Sequence, residues 1–215
     1  KKKKINNKED LKSLTSMYEA SIKFLDQEVE DLFNWTKKQK DTYLIFTSDH
    51  GEALMEHGNF GHHPTIAYNE LIKVPLFIYS PKLKPKKIHN TVSLINLANT
   101  ISKITNTDYD NFTGFNLIET NNIQIDKHFI ANNTTKVISG LSPVYREKIF
   151  NNKVEIKEKK MLYSIMKNEY KYIFDEKKEQ EELYNIKIDL QETDNLLLKN
   201  KETTEDFKEI LKKMR

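Results

Sequence analysis

The stretch TSDHGEALMEHGNFGHH, Thr47 to His63, holds four of the chain's six histidines together with one Asp and two Glu. It follows directly on the apolar run Tyr43-Leu44-Ile45-Phe46. Thr42 to Thr47 is short, β-rich and ends in Ser-Asp-His-Gly, which predicts a buried parallel strand feeding a loop. In an open α/β sheet, ligands bind beyond the carboxyl ends of strands, and that is where Asp49 and His50 fall. An Asp oxygen and a His nitrogen on adjacent residues of a tight turn can reach one divalent cation, and Gly51 lets the chain swing away from it. His57, His62 and His63 return to the same region only if Glu52 to Gly61 folds back. A strand-terminal Asp more often caps a helix or forms a turn, and a lone His is usually a satisfied residue. Four histidines close together shift the balance, leaving a metal site, an anion site and a merely structural loop open.

Outward from this stretch, Leu11, Leu14, Tyr18, Ile22, Leu25, Val29 and Leu32 recur at three- and four-residue steps, predicting a helix with one buried face from Glu9 to Lys40. Leu76 to Tyr79, entered through Val74-Pro75, reads as a second buried strand. Pro81 to Ile88 is a Pro-punctuated basic loop, a solvated connector rather than a polyanion site. Ser93 to Ile104 reads as an amphipathic helix and Thr113 to Leu117 as a turn. Helix, strand, strand, helix favours an α/β layered sheet. After Ile125 the texture changes to short β-like runs, His128 to Ala131, Lys153 to Ile156, Met161 to Met166 and Tyr170 to Phe174, closed by a helix from Thr204 to Met214. The expected organisation is an α/β part over residues 1–125 and a small antiparallel sheet with a terminal helix over 126–215.

Composition narrows the chemistry. With 35 basic and 32 acidic residues interspersed along 215, the net charge of +3 gives no strong field and does not imply nucleic acid. Cysteine is absent, which excludes disulfides, thiolate catalysis and Cys-based zinc sites within these residues, so any metal here uses His and carboxylate ligands. The amino-terminal KKKKINNKED has no apolar core behind it, and no run approaches the roughly 18 apolar residues of a membrane span. Compartment and oligomeric state are not legible.

Several blocks together carry a family resemblance. Thr47-Ser48-Asp49-His50-Gly51-Glu52, then Glu56-His57-Gly58, His62, and Glu70-Leu71-Ile72-Lys73-Val74-Pro75-Leu76 resemble the core of the type I sulfatases of the alkaline phosphatase superfamily. Met17 to Asp26 resembles the helix that precedes that core, and Ser93 to Ile104 followed by Gly114-Phe115-Asn116-Leu117 also fits. Tyr170-Lys171-Tyr172-Ile173 with Glu182-Leu183-Tyr184-Asn185, Asp189, Glu192 and Asn195-Leu196 resembles the family's carboxyl-terminal signature.

The resemblance implies an alkaline-phosphatase-like layered sheet with helices, hydrolysis of a sulfate ester, with a sulfated sugar among the candidate substrates, and Asp49 and His50 as metal ligands. Calcium is the first expectation; manganese, magnesium or zinc stay open, because calcium prefers oxygen donors and position 50 is His. His62 would face the sulfate oxygens, with His57 and His63 as further substrate-side candidates. The family's Cys/Ser-x-Pro-x-Arg motif, whose first residue becomes the formylglycine nucleophile, is not found; Leu141-Ser142-Pro143-Val144-Tyr145-Arg146 has the wrong spacing. The paired-Asp segment is absent too. The expectation is therefore the carboxyl-terminal part of such an enzyme, inactive alone. The alternatives are a phosphotransferase or phosphodiesterase of the same superfamily, similar to the lipoteichoic acid synthases, or a non-catalytic metal- or anion-binding remnant.

Overall fold

A computed structural model describes residues 8–62, 66–89, 91–107, 114–119, 129–133 and 162–214. The chain forms two compact units, Lys1–Lys86 and Lys87–Arg215. The boundary expected between residues 125 and 126, and the strand expected at Lys153 to Ile156, lie outside the described residues.

In the first unit, α1 spans Lys8–Thr36. Its apolar stripe is only partly covered: Leu11, Leu14, Val29 and Phe33 are half-buried, whereas Ile22, Leu25 and Leu32 are exposed and Thr36 alone is fully buried. The expected buried face is thus not realised along its length, because periodicity states which side is apolar and not what lies against it. The helix ends over a two-stranded sheet of β1 (Leu44–Thr47) and β4 (Leu76–Tyr79), with the Phe33 ring edge-on to Tyr79 at 4.6 Å. The two strands are antiparallel, with Leu44 opposite Tyr79 and Phe46 opposite Phe77, and those two Phe rings stack at 4.9 Å. This corrects the parallel, buried strand expected at Thr42 to Thr47. All four residues of β1 are half-buried, and a short apolar run specifies a strand without specifying its direction.

Between these strands lie β2 (Ala53–Leu54), β3 (Phe60–Gly61) and the single turn α2 (Asn69–Ile72). β2 and β3 pair antiparallel over two residues each. Ala53, Ile66 and Leu71 make a small core with Tyr68 and Ile72 against it.

In the second unit, α3 (Asn96–Ile104) buries Asn96, Thr100 and Ser102 and leaves Ile95 and Ile101 exposed. Its buried side is polar because it holds a loop: Asn96 Oδ1 accepts from Phe115 N–H, Thr100 Oγ1 from Leu117 N–H, and Asn99 Nδ2 donates to Gly114 O. Gly114 has φ +105, and a Cβ there would stand 2.5 Å from Asn96 Oδ1.

The remainder is a four-stranded antiparallel sheet, β5 (Phe129–Asn133), β6 (Leu162–Lys167), β7 (Tyr170–Asp175) and β8 (Gln180–Asn185) in sequential order, followed by α4 (Lys201–Met214). The antiparallel sheet and terminal helix expected here are present; β8 is an additional strand, its charged Gln-Glu-Glu start hiding it. Alternation decides the two faces. Ile165, Tyr172 and Leu183 lie opposite one another across three strands and are fully buried, with Phe207 and Leu211 of α4 packed onto them. The opposite face carries Lys171, whose ammonium meets the Glu192 carboxylate at 2.6 Å with both side chains fully buried. The segment after β8 folds back on its edge: Leu196 N–H donates to Leu183 O, and Leu183 N–H to Asn195 Oδ1. An otherwise open strand edge is thereby satisfied.

Candidate functional site

The Thr47 to His62 segment leaves β1, turns at Ser48 to Gly51, and doubles back through the β2–β3 hairpin. The Ser48 hydroxyl donates to His50 O at 2.7 Å, and His50 N–H donates to Asp49 Oδ1 at 2.9 Å, which fixes the tight turn. Gly51 N–H donates to Leu71 O at 2.8 Å, and a Cβ at Gly51 would come within 2.1 Å of the Glu70 carbonyl. Glycine is required there for close backbone approach.

Asp49 and His50 come together. Asp49 Oδ2 lies 3.8 Å from His50 Nε2, and both side chains are open to solvent. The His50 N–H and the neighbouring imidazole hold the Asp49 carboxyl below its ordinary value of 3.8. His50 Nδ1 sits 2.8 Å from Gly51 O, and a carbonyl only accepts, so Nδ1 carries the hydrogen. In this tautomer the lone pair of a neutral ring is on Nε2, the atom on the Asp49 side. One carboxylate oxygen, one imidazole nitrogen and a backbone carbonyl that sets the tautomer form a donor set suited to a divalent ion. Among the described residues, no group of three or more His, Cys, Asp or Glu gathers closely enough to hold a metal by itself.

His62 returns to the same place, its ring stacked on that of His50 with centroids 4.8 Å apart. Glu52 Oε2 lies 3.5 Å from His62 Nδ1. Glu52 received no role from the sequence; its position in a Gly-Glu step carries no metal or catalytic spacing. His57 stands apart, at the hairpin tip: its Nδ1 is 2.8 Å from Glu70 Oε1 and its ring is stacked on Tyr68 at 3.7 Å. Glu70 and Tyr68 were likewise unassigned, since a partner 13 residues away has no local signal. His63 lies outside the described residues.

A mixed α/β protein with an Asp-His pair at a strand end, a second imidazole above it, and a small antiparallel sheet closed by a helix is the class defined by fold and site. Residues 1–107 match the sulfatase family model. Arylsulfatase K of Xenopus laevis is 37% identical over 79 residues, covering 36% of this chain and 14% of that protein. A putative sulfatase from Bacteroides thetaiotaomicron superposes over 96% of this chain and 44% of its own, with a TM-score of 0.76 and 17% identity. A further solved protein, in complex with its substrate D-glucosamine-2-N,6-O-disulfate, matches with a TM-score of 0.63 and 20% identity over 91% of this chain and 39% of its own. The chain belongs to the sulfatase family and shares the sulfatases' alkaline-phosphatase-like fold. It spans less than half the length of these relatives. No helix among the described residues is long and apolar enough to cross a membrane.

Proposed function

We propose that this chain is part of a metal-dependent sulfatase, hydrolysing a sulfate ester of a sugar to the free hydroxyl and inorganic sulfate. Asp49 and His50 are ligands of one divalent ion, calcium first with manganese, magnesium and zinc as the alternatives, and His62 contacts the sulfate group. The observation that carries this reading is the stacking of His62 over His50 at the end of β1, within the residues that match the family. The sulfated sugar is suggested by the relative solved with D-glucosamine-2-N,6-O-disulfate.

The ion, when bound, neutralises charge on the oxygens of the group being transferred. His50 is held in one tautomer by Gly51 O, so its Nε2 presents a lone pair without reorganisation. Glu52 beside Nδ1 orients His62, and the imidazolium form of the ring has a second N–H, at Nε2, to donate toward a sulfate or leaving-group oxygen. The nucleophile is supplied by polypeptide outside these 215 residues, so the chain alone turns over no aryl sulfate.

The test has two arms. Calcium or manganese at millimolar concentration should raise the melting temperature of the wild type by mass action, and Asp49→Ala or His50→Ala should abolish the rise. No rise in the wild type removes the metal assignment. Hydrolysis of an aryl sulfate by the 215-residue chain above an Asp49→Ala control removes the assignment of the nucleophile to another segment.

A further inference from the structure

The hairpin that carries His62 is too small to place itself. Its ladder has only two residue pairs, Ala53 opposite Gly61 and Leu54 opposite Phe60, and an isolated hairpin is marginal in water even when longer. Its connection adds strain at Met55, which has a φ of 79 degrees without glycine's freedom, whereas Gly58 and Gly61 take their φ of 71 and 82 degrees at no such cost. Local bonds tidy the turn: Met55 N–H donates to Asn59 O, Gly58 N–H to Met55 O, and Asn59 Nδ2 to His57 O. None of these fixes where the hairpin stands relative to the Asp49–His50 turn.

That placement comes from two ties to α2. At the entry, Gly51 N–H donates to Leu71 O. At the tip, His57 Nδ1 donates to Glu70 Oε1 at 2.8 Å, with the side chains only 15% and 9% exposed. The Tyr68 ring lies against the His57 ring, 6 degrees from parallel, and shields this bond from water. A charge-assisted hydrogen bond withdrawn from solvent is among the stronger single contacts a loop can have. Between the two ties, Ala53 is packed against Ile66 and Leu71. His62 follows β3 directly, so the ring that stacks on His50 moves with the hairpin.

We propose that His57 and Glu70 are positioning residues, their hydrogen bond under the Tyr68 ring pinning the β2–β3 hairpin to α2 and so setting the place of His62 over His50. The proposal rests on the functional reading only for the importance of His62; the clamp itself stands on geometry. It assigns His57 a task other than substrate contact, since its Nδ1 and one ring face are already engaged inside the protein.

The experiment is NMR on the 215-residue chain with labelled histidine. In the wild type, His57 should show a ring Nδ1 proton that exchanges slowly, with the same protection as the Met55 amide, and the His50 and His62 rings should show a mutual nuclear Overhauser effect. His57→Phe keeps a flat ring against Tyr68 and removes the donor; it should abolish the His50–His62 effect. His57→Gln keeps an N–H and should restore it. A merely structural role would alter the melting temperature of both variants and leave the contact between the two rings intact. The proposal is overturned if His57→Phe retains the His50–His62 effect at wild-type intensity. It is equally overturned if the wild-type His57 ring proton exchanges at the solvent rate while the Met55 amide stays protected, a result that does not depend on any variant folding. Titrating inorganic sulfate into the wild type separates the two readings: a His62 ring that does not respond sinks the sulfate assignment and leaves the clamp standing.

Discussion

Two charged pairs in this molecule, one on the four-stranded sheet and one at the end of β1, meet water in opposite ways. On the four-stranded sheet, Lys171 and Glu192 are sealed from water at 2.6 Å, on the reverse of a face built from Ile165, Tyr172, Leu183 and Phe207. Around the strand-end turn, Asp49 and His50 stand 3.8 Å apart in solvent, and the supporting core is Ala53, Ile66 and Leu71. A sealed pair is fully committed to its partner and contributes conformational definition; an open pair keeps coordination capacity for something else. Stability is concentrated in one region and chemical availability in the other.

The sharpest way to break this contrast is to orphan one buried charge. Lys171→Met should destabilise the sheet by about 3–5 kcal/mol, because Glu192 is left charged without its counter-ion, and the double change with Glu192→Leu should recover most of the loss. Urea unfolding followed by tyrosine fluorescence checks it, and a Lys171→Met protein as stable as wild type would mean that the pair is not sealed. Next in size, Gly51→Ala forces a Cβ against the Glu70 carbonyl and should cost about 2–3 kcal/mol; amide exchange around Leu71 should accelerate while that of β6 to β8 does not.

A third change sharpens the comparison within the polar face of α3. Thr100→Val preserves shape and strands the Leu117 N–H, which should cost about 1–2 kcal/mol in thermal melting. The smallest effect is in acid. Burial pushes the Asp189 carboxyl up, but the N–H groups of Asp194 and Thr193 outweigh it and hold it below its ordinary 3.8. At Asp175, burial is likewise outweighed by Lys178. Carboxyls lowered on folding stabilise fully above their unfolded value and lose that contribution as pH falls through the lowered one. The melting temperature should therefore be insensitive to these groups above about pH 5 and drop below about pH 4, with Asp189→Asn showing a shallower drop than wild type.

Much of this was legible before any coordinates. The apolar period of Leu11 to Leu32 marked α1, the β-branched and aromatic run before Thr47 marked β1, and the spaced runs after Met161 marked β6 and β7, since side-chain periodicity is a local property. The gathering of Asp49, His50 and His62 in one place was suggested by the clustering of histidines and by the family pattern, and the structure brings the three side chains together. What periodicity does not contain is what an element packs against. The antiparallel pairing of Leu44–Thr47 with Leu76–Tyr79, the solvent exposure of Ile22 and Leu25, and the strand hidden in Gln180–Asn185 were all settled by partners distant in the chain.

By itself, the sequence marked the longer helices and the apolar strands, the absence of cysteine chemistry and the place where residue types suited to a metal ion or an anion cluster, because these depend on residue identity and near-neighbour spacing. Tertiary structure alone decided that Glu70 would hold His57, that Glu52 would stand beside His62, and that Lys171 would find Glu192. Each of those is a contact between side chains whose separation along the chain has no fixed relation to their separation in space, so only the folded backbone brings them within hydrogen-bonding reach.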